Sequence, residues 1–245
     1  MKCALASLGF INEDIRYNQS KIINTLVDYS NKADVVIFGE AYLQGFYGVN
    51  FIPEHDSGIA IEKGSRIIKD ICNAAKENTV AVSFGFLEKE KTRFYSSQIT
   101  IDRSGMVIDL FRRVSPGWKE RFAGELYCEG TRFHAFDFLG KRVAVGLCGD
   151  LWYEENIEAI KLLNPDVVWW PVYTDYHLND WNTTIKYEYA AQAAKLGRPV
   201  LCVNSICMDK ADELEAAKGG ACCFADNRIV QEAAAGSENV LVVEL

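Results

Sequence analysis

Three positions in the sequence carry groups able to act together on a substrate. Glu40 follows the apolar run DVVIFG, Cys148 ends the apolar run within VAVGLCGDLWYEE, and Glu125 lies in the loop segment GELYCEG. In α/β proteins, reactive side chains gather where the carboxyl ends of strands meet the next loop. A free thiol has a pKa of about 8.5, so only a few per cent is thiolate near neutrality, and a nucleophilic cysteine needs a base beside it. Each position alone has a plainer explanation. A cysteine in an apolar strand is usually core, and a glutamate after a strand is usually solvated.

The elements that must position these groups alternate between strand and helix. Residues 2–8 predict a strand, and 15–31 an amphipathic helix with Ile15, Ile22, Ile23, Leu26 and Val27 at helical spacing. Strand 34–39 and helix 64–77 follow. Strands 79–87 and 94–103 flank the charged turn EKEKTR, and strand 106–112 follows the turn signal RSG. The second half repeats the plan with strand 142–148, helix 153–163, strand 166–172 and a helix at 183–196 that Gly197 stops. Strands at 199–204, 220–225 and 239–244 complete it. Alternation of this kind predicts an α/β fold. The hairpin-like strands in the middle add antiparallel pairs, hence a mixed sheet. The two similar halves predict two packed sheets with helices outside, in a single domain over 1–245.

Composition narrows the class. The chain has 245 residues, 49% of them apolar and 24% charged, as in an ordinary water-soluble globular protein. Its net charge of −8 and the absence of a basic run argue against a nucleic-acid partner. No apolar run approaches the roughly 18 residues of a membrane span. The N-terminal MKCALASLGF reads as a first strand and not as a signal peptide. Eight cysteines, mostly inside apolar runs and at no framework spacing, read as reduced thiols of a cytoplasmic protein. There is no C-x-x-C, and His55, His134 and His177 are isolated, so no zinc site is expected.

Taken together, the motifs resemble the nitrilase superfamily, the carbon–nitrogen hydrolases. FGEAYLQGF is similar to its first signature, and GLCGDLWYEE to its third, with Cys148, Asp150 and Glu155 in place. ALASLGF, Asn18, FYSSQITIDRSGMVIDLFRR, AAQAAKLGRPVLCVNSI and GGACCFADNRIV match other parts of the pattern in order, so the resemblance covers nearly the whole chain. It implies a four-layer αββα sandwich. It also implies hydrolysis of a nonpeptide C–N bond in a small amide, through a cysteine thioester and without metal or cofactor. Glu40 would be the general base, Cys148 the nucleophile, Glu125 a second glutamate holding the site's cation, and the Gly149 amide an oxyanion donor. Gly149 would also suit a strained turn after the nucleophile, and Asp150 would cap the helix beginning near 153. Tyr47, Trp152, Pro171, Val172 and Tyr173 would face substrate, and two copies would pair into a homodimer that needs no long C-terminal extension.

One departure bears on function. The second signature places a lysine directly after the strand, and this chain has Arg113 there, in FRRVSPGWKERF. Three outcomes stay open. Arg113 takes the role as a permanent, planar cation; Lys119 folds back to supply an amine; or hydrolysis is lost and the pocket binds a ligand or partner. A fourth possibility is an α/β binding module in which Cys148 is simply core.

Overall fold

The computed structural model describes residues 1–209 and 216–245. The first half opens with β1 (Lys2–Ser7) and the two-residue β2 (Gly9–Phe10). Helix α1 (Ile15–Tyr29) then starts at Asp14, whose side chain accepts the amide of Tyr17 and so satisfies one of the helix's free N–H groups. Next come β3 (Val35–Phe38), α2 (Pro53–Ile59) and α3 (Arg66–Asn78), the last capped by Ser65. Strands β4 (Ala81–Glu90), β5 (Arg93–Ile101) and β6 (Val107–Arg112) form the meander read from the EKEKTR and RSG turns.

The second half contains β7 (Ala135–Phe138), β8 (Lys141–Val145), α4 (Glu154–Leu162) and β9 (Val167–Val172). Short α5 (Leu178–Asp180) runs through a π-helical turn, Trp181–Ile185, into α6 (Lys186–Ala194). Strands β10 (Val200–Asn204), β11 (Ile206–Cys207), β12 (Ala221–Ala225), β13 (Arg228–Ala233) and β14 (Asn239–Glu244) complete the chain. Strands β7, β13 and the β2–β11 pair, together with α2, are absent from the sequence reading. They are short or carry mixed polar residues, and so lack a strong period.

Two six-stranded mixed sheets result, in the orders β14-β1-β3-β4-β5-β6 and β13-β12-β10-β9-β8-β7. Each has three parallel strands at its centre, β1-β3-β4 and β8-β9-β10, flanked by antiparallel ones. The period of two along each strand divides the core. Cys3, Leu5, Val35, Ile37, Val143, Trp169, Leu201 and Val203 meet between the sheets. The intervening residues face outward: Ala4, Val36 and Phe38 pack under α1 and α3, while Val168, Trp170 and Val172 pack under α4 and α6. A residue shift would exchange these faces, so burial on both sides fixes the register. The four-layer αββα sandwich is therefore the observed architecture.

The loop after β3 is bolted to its surroundings. Asn18 is fully buried and donates to the carbonyls of Ile11 and Leu43, and Gln44 exchanges hydrogen bonds with the backbone of Leu87. Gly85 lies beneath the turn at residues 39–41: its amide donates to Gly39 O at 3.2 Å and its carbonyl accepts from Leu43. A Cβ at position 85 would overlap the amide nitrogen of Ala41, which is rigid backbone. Gly85→Ala is expected to cost about 2 kcal/mol or more, seen as a Tm loss of roughly 4–8 °C in calorimetry. An unchanged Tm would show that the loop is not held this tightly.

Candidate active site

Glu40 lies one residue beyond the end of β3, after Gly39, and its side chain is fully shielded from solvent. Its amide donates to the carbonyl of Val172 across the two sheets, at 3.3 Å. The next residue, Ala41, has φ of 52°, so the chain turns sharply and leaves the carboxylate aimed back between the sheets. A buried carboxylate needs partners, and Glu40 has two. Ser96 Oγ donates to Oε1 at 2.9 Å, and Arg113 Nη1 donates to Oε1 at 3.1 Å and to Oε2 at 3.4 Å. The charge of Glu40 also acts on the thiol of Cys148.

Arg113 is the residue after β6, and it is only 5% exposed. Its Nε donates to Ser115 Oγ at 3.1 Å and its Nη2 to the carbonyl of Pro116 at 3.4 Å. Burial works against the charge, but Glu40, Cys148 and Asp150 outweigh it and raise the guanidinium's pKa. The site thus contains a cation that stays charged through any working pH.

Cys148 lies beyond β8, as the first residue of a short 3₁₀ turn, Cys148–Trp152. This corrects the expectation that the strand runs through it. Its φ of 42° is left-handed and strained for a side chain with a Cβ. The strain expected at Gly149 therefore sits on the cysteine itself. Trp170 Nε1 donates to the Cys148 carbonyl at 2.8 Å and holds the turn, while the thiol points toward the carbonyl of Tyr173 at 3.4 Å. Burial pushes the thiol up to about 12; the Glu40 charge adds to this and Arg113 opposes it. The resting thiol is therefore protonated, and its activation depends on handing that proton to a neighbour.

Gly149 has a different reason to be glycine. A Cβ there would run into Arg113 Nη2, with Ser115 Oγ 3.1 Å away. The larger, planar cation fits because the residue after the nucleophile has no side chain.

Asp150 does not cap α4. Tyr153 occupies that cap and makes no side-chain cap bond. Asp150 is fully buried instead, accepting the amides of Val114 at 3.0 Å and Ser115 at 2.6 Å on one oxygen and of Leu147 at 2.9 Å on the other. Burial raises its pKa, and these hydrogen bonds pull against that rise. It clips the loop that carries Arg113 to the turn that carries Cys148. Sequence reasoning missed this and also missed Ser96, because both act through partners distant in the chain.

The structure does not bring the other predicted residues into this cluster in the same way. Glu125 is exposed and makes no side-chain hydrogen bond or ion pair among the described residues. Lys119 is pinned within its own loop, donating to Tyr127 O at 2.8 Å and pairing with Glu129 at 2.8 Å. Glu129, not Glu125, is the acid that holds a cation there. Tyr47 and Tyr173 do meet: their rings are 5.7 Å apart, edge to face, and Phe46 stacks on Tyr173 at 4.3 Å. The Val172 side chain faces the helical layer, so its contribution is the carbonyl that braces Glu40. Pro171 is buried in β9 opposite Val203. Trp152 packs on Tyr189 and Trp170 on the helical side and is partly open to solvent.

A small cavity of about 20 Å³ is walled by Ala41, Phe46, Val49, Phe86, Trp118 and Ser96, the hydroxyl partner of Glu40. Larger clefts lie elsewhere, among them one of about 590 Å³ between α6 and β13, and no residue of the cluster lines it. The buried carboxylate, cation and thiol outweigh cleft size in locating the chemistry. Gly149→Ala is expected to displace Arg113 and lower kcat/KM by roughly 10²-fold, as misplacement of about an ångström does. Steady-state kinetics beside a crystal structure of the variant would check this; full activity would mean that Arg113 can move at no cost.

Residues 4–245 match the carbon-nitrogen hydrolase family. An (R)-stereoselective amidase from Pseudomonas sp is 27% identical over 168 residues, 69% of this chain and 58% of the amidase, so the chain spans little more than half of that relative. A citrullinase from Francisella tularensis is 23% identical over 93% of this chain and 82% of its own length. Among solved structures, a mutant amidase from Nesterenkonia sp. AN1, with acrylamide added at the active site cysteine, superposes with a TM-score of 0.80. It is 15% identical and covers all of this chain and 93% of its own. A glutamine-dependent NAD⁺ synthetase from Acinetobacter baumannii has a TM-score of 0.77 at 20% identity, over 98% of this chain and 44% of its own. With a match along nearly its whole length and the same sandwich fold, this chain belongs to the carbon–nitrogen hydrolase family.

Proposed function

We propose that the protein hydrolyses a C–N bond in a small amide, with Cys148 as nucleophile and Glu40 as general base. The observation that carries this reading is the buried Glu40–Arg113 ion pair, whose two charges both act on the Cys148 thiol. Glu40 takes the thiol proton as sulfur bonds to the carbonyl carbon. The carbonyl oxygen becomes an oxyanion, facing the Gly149 amide and the second N–H of Arg113 Nη2, whose first N–H goes to Pro116. Collapse breaks the C–N bond. The leaving amine takes the proton from Glu40, and a thioester remains on Cys148. Water then adds to the thioester, giving its proton to Glu40, and the thiol and a carboxylic acid are released. Arg113 fills the position of the family's lysine in this scheme. It differs from an amine in keeping its proton, so it serves only as a charge.

The same proposal assigns no metal or cofactor a role, and places the enzyme where thiols stay reduced. No helix among the described residues is long and apolar enough to cross a membrane. Pairing of two copies belongs to the proposal too. The helices over the second sheet leave Leu162 and Tyr187 exposed for it, and β13 leaves Val230, and light scattering would give the mass.

Turnover of a panel of aliphatic amides, carbamoyl amines and nitriles, with Cys148→Ala as control, tests the reading. Amide hydrolysis lost in the variant is expected. No turnover by the wild type would favour a pocket that only binds.

Glu40→Gln supplies a second test. Burial and the Glu40 charge keep the thiol protonated at pH 7, so alkylation too needs Glu40 to take the proton. Iodoacetamide should label Cys148 more slowly in the variant at pH 7, and amide turnover should fall by about 10²–10⁴-fold. Unchanged or faster labelling would show that the carboxylate does not serve as the thiol's base.

A further inference from the structure

Adjacent residues on β5 and at the end of β6 build two Glu–Ser–Arg clusters on opposite faces of one sheet. On the outer face, Glu88 accepts from Ser97 Oγ at 2.7 Å and is gripped by Arg112, with Nε at 2.7 Å and Nη2 at 2.6 Å. On the inner face, Glu40 accepts from Ser96 Oγ at 2.9 Å and from Arg113 Nη1 at 3.1 Å. The strand's period of two sends Ser96 and Ser97, like Arg112 and Arg113, to opposite sides. The outer cluster has no thiol and no catalytic assignment. The charges of the inner one act on Cys148.

The two oxygens of Glu40 are not equivalent. Oε1 receives both Ser96 and the closer Arg113 contact, whereas Oε2 receives only the longer one, at 3.4 Å. Ser96 is also tied to the cation through its backbone, because its carbonyl accepts the Arg113 amide at 2.9 Å. We propose that Ser96 is a positioning residue for the general base: its hydroxyl anchors Oε1, which leaves Oε2 as the atom that exchanges a proton with Cys148. The proposal rests on the reading of Glu40 as base.

The hydroxyl donates to the carboxylate and so favours its ionised form. The charged and titratable groups facing Glu40 among the described residues are Arg113, on the segment after β6, which pairs with it, and Cys148, on the turn after β8, whose thiol its charge acts on. Removing the hydroxyl leaves both in place and takes away a donor that favours the charged base.

The test compares wild type with Ser96→Ala, Ser96→Thr and Ser97→Ala. Two pH profiles are recorded: kcat/KM on an amide from the panel, and the rate of Cys148 alkylation by iodoacetamide, which needs no substrate. In S96A the acid limb of kcat/KM and the matching inflection in alkylation should both move up by about one pH unit. In addition, kcat should fall by roughly 10-fold with little change in KM. S96T keeps the hydroxyl and should restore the wild-type profile. S97A makes the same chemical change on the outer face, so it should leave both profiles where they are, whatever it does to Tm. If S96A superposes on wild type, or S97A shifts the inflection equally, Ser96 has no positioning role. An inflection that moves in S96A without any amide turnover would sustain the Ser96 assignment and remove the hydrolase reading. Alkylation with no inflection in wild type would overturn both.

Discussion

Glu40 and Arg113 form an ion pair almost wholly removed from water, and the geometry around the thiol follows from it. Either charge buried alone would cost several kcal/mol. Together they offset each other, provided that every remaining donor and acceptor is met. Ser96 meets an oxygen of Glu40, while Ser115 and Pro116 meet the guanidinium. Two glycines make room around this pair. Gly85 runs under the Glu40 turn, and Gly149 clears space for the guanidinium.

The pair also governs Cys148. Burial alone would leave the thiol inert, and the carboxylate's charge makes free thiolate still less favourable. Such a site stores no reactive sulfur anion at rest. In the proposed reaction, nucleophilicity appears only while the proton passes to the carboxylate, when a carbonyl carbon is there to accept the sulfur. Arg113 opposes the rise in the thiol's pKa, and in that reaction the guanidinium that pairs with the buried Glu40 would also favour the oxyanion.

Much of this was legible in the sequence because it is local. Continuous apolar runs mark β1, β3, β8, β9 and β10, and Glu40 and Cys148 follow two of them by a few positions. Arg113 stood out because one residue departed from a strict local pattern. Other features depend on contacts across long stretches of chain. Asp150 looks like a helix cap from its neighbours, yet its carboxylate is consumed by amides 35 and 36 residues away. Ser96 sits in YSSQ with nothing to distinguish it from Ser97 until the two strand faces are known. Glu125 and Lys119 lie in the long loop between β6 and β7, where no period constrains direction, and there the pattern placed them less well than the strands placed Glu40 and Cys148.

Asp150's hydrogen bonds to Val114 and Ser115 join two lengths of chain that leave the ribosome at different times. Glu40, Ser96 and Arg113 emerge first and can settle within the first sheet, where β3 to β6 are already neighbours. Cys148 and Asp150 arrive later, on the second sheet. Until the sheets dock, the amides of Val114 and Ser115 have no Asp150 carboxylate to receive them, and Cys148 lies apart from the Glu40–Arg113 pair. Assembly of the site is thus coupled to the docking of the two sheets.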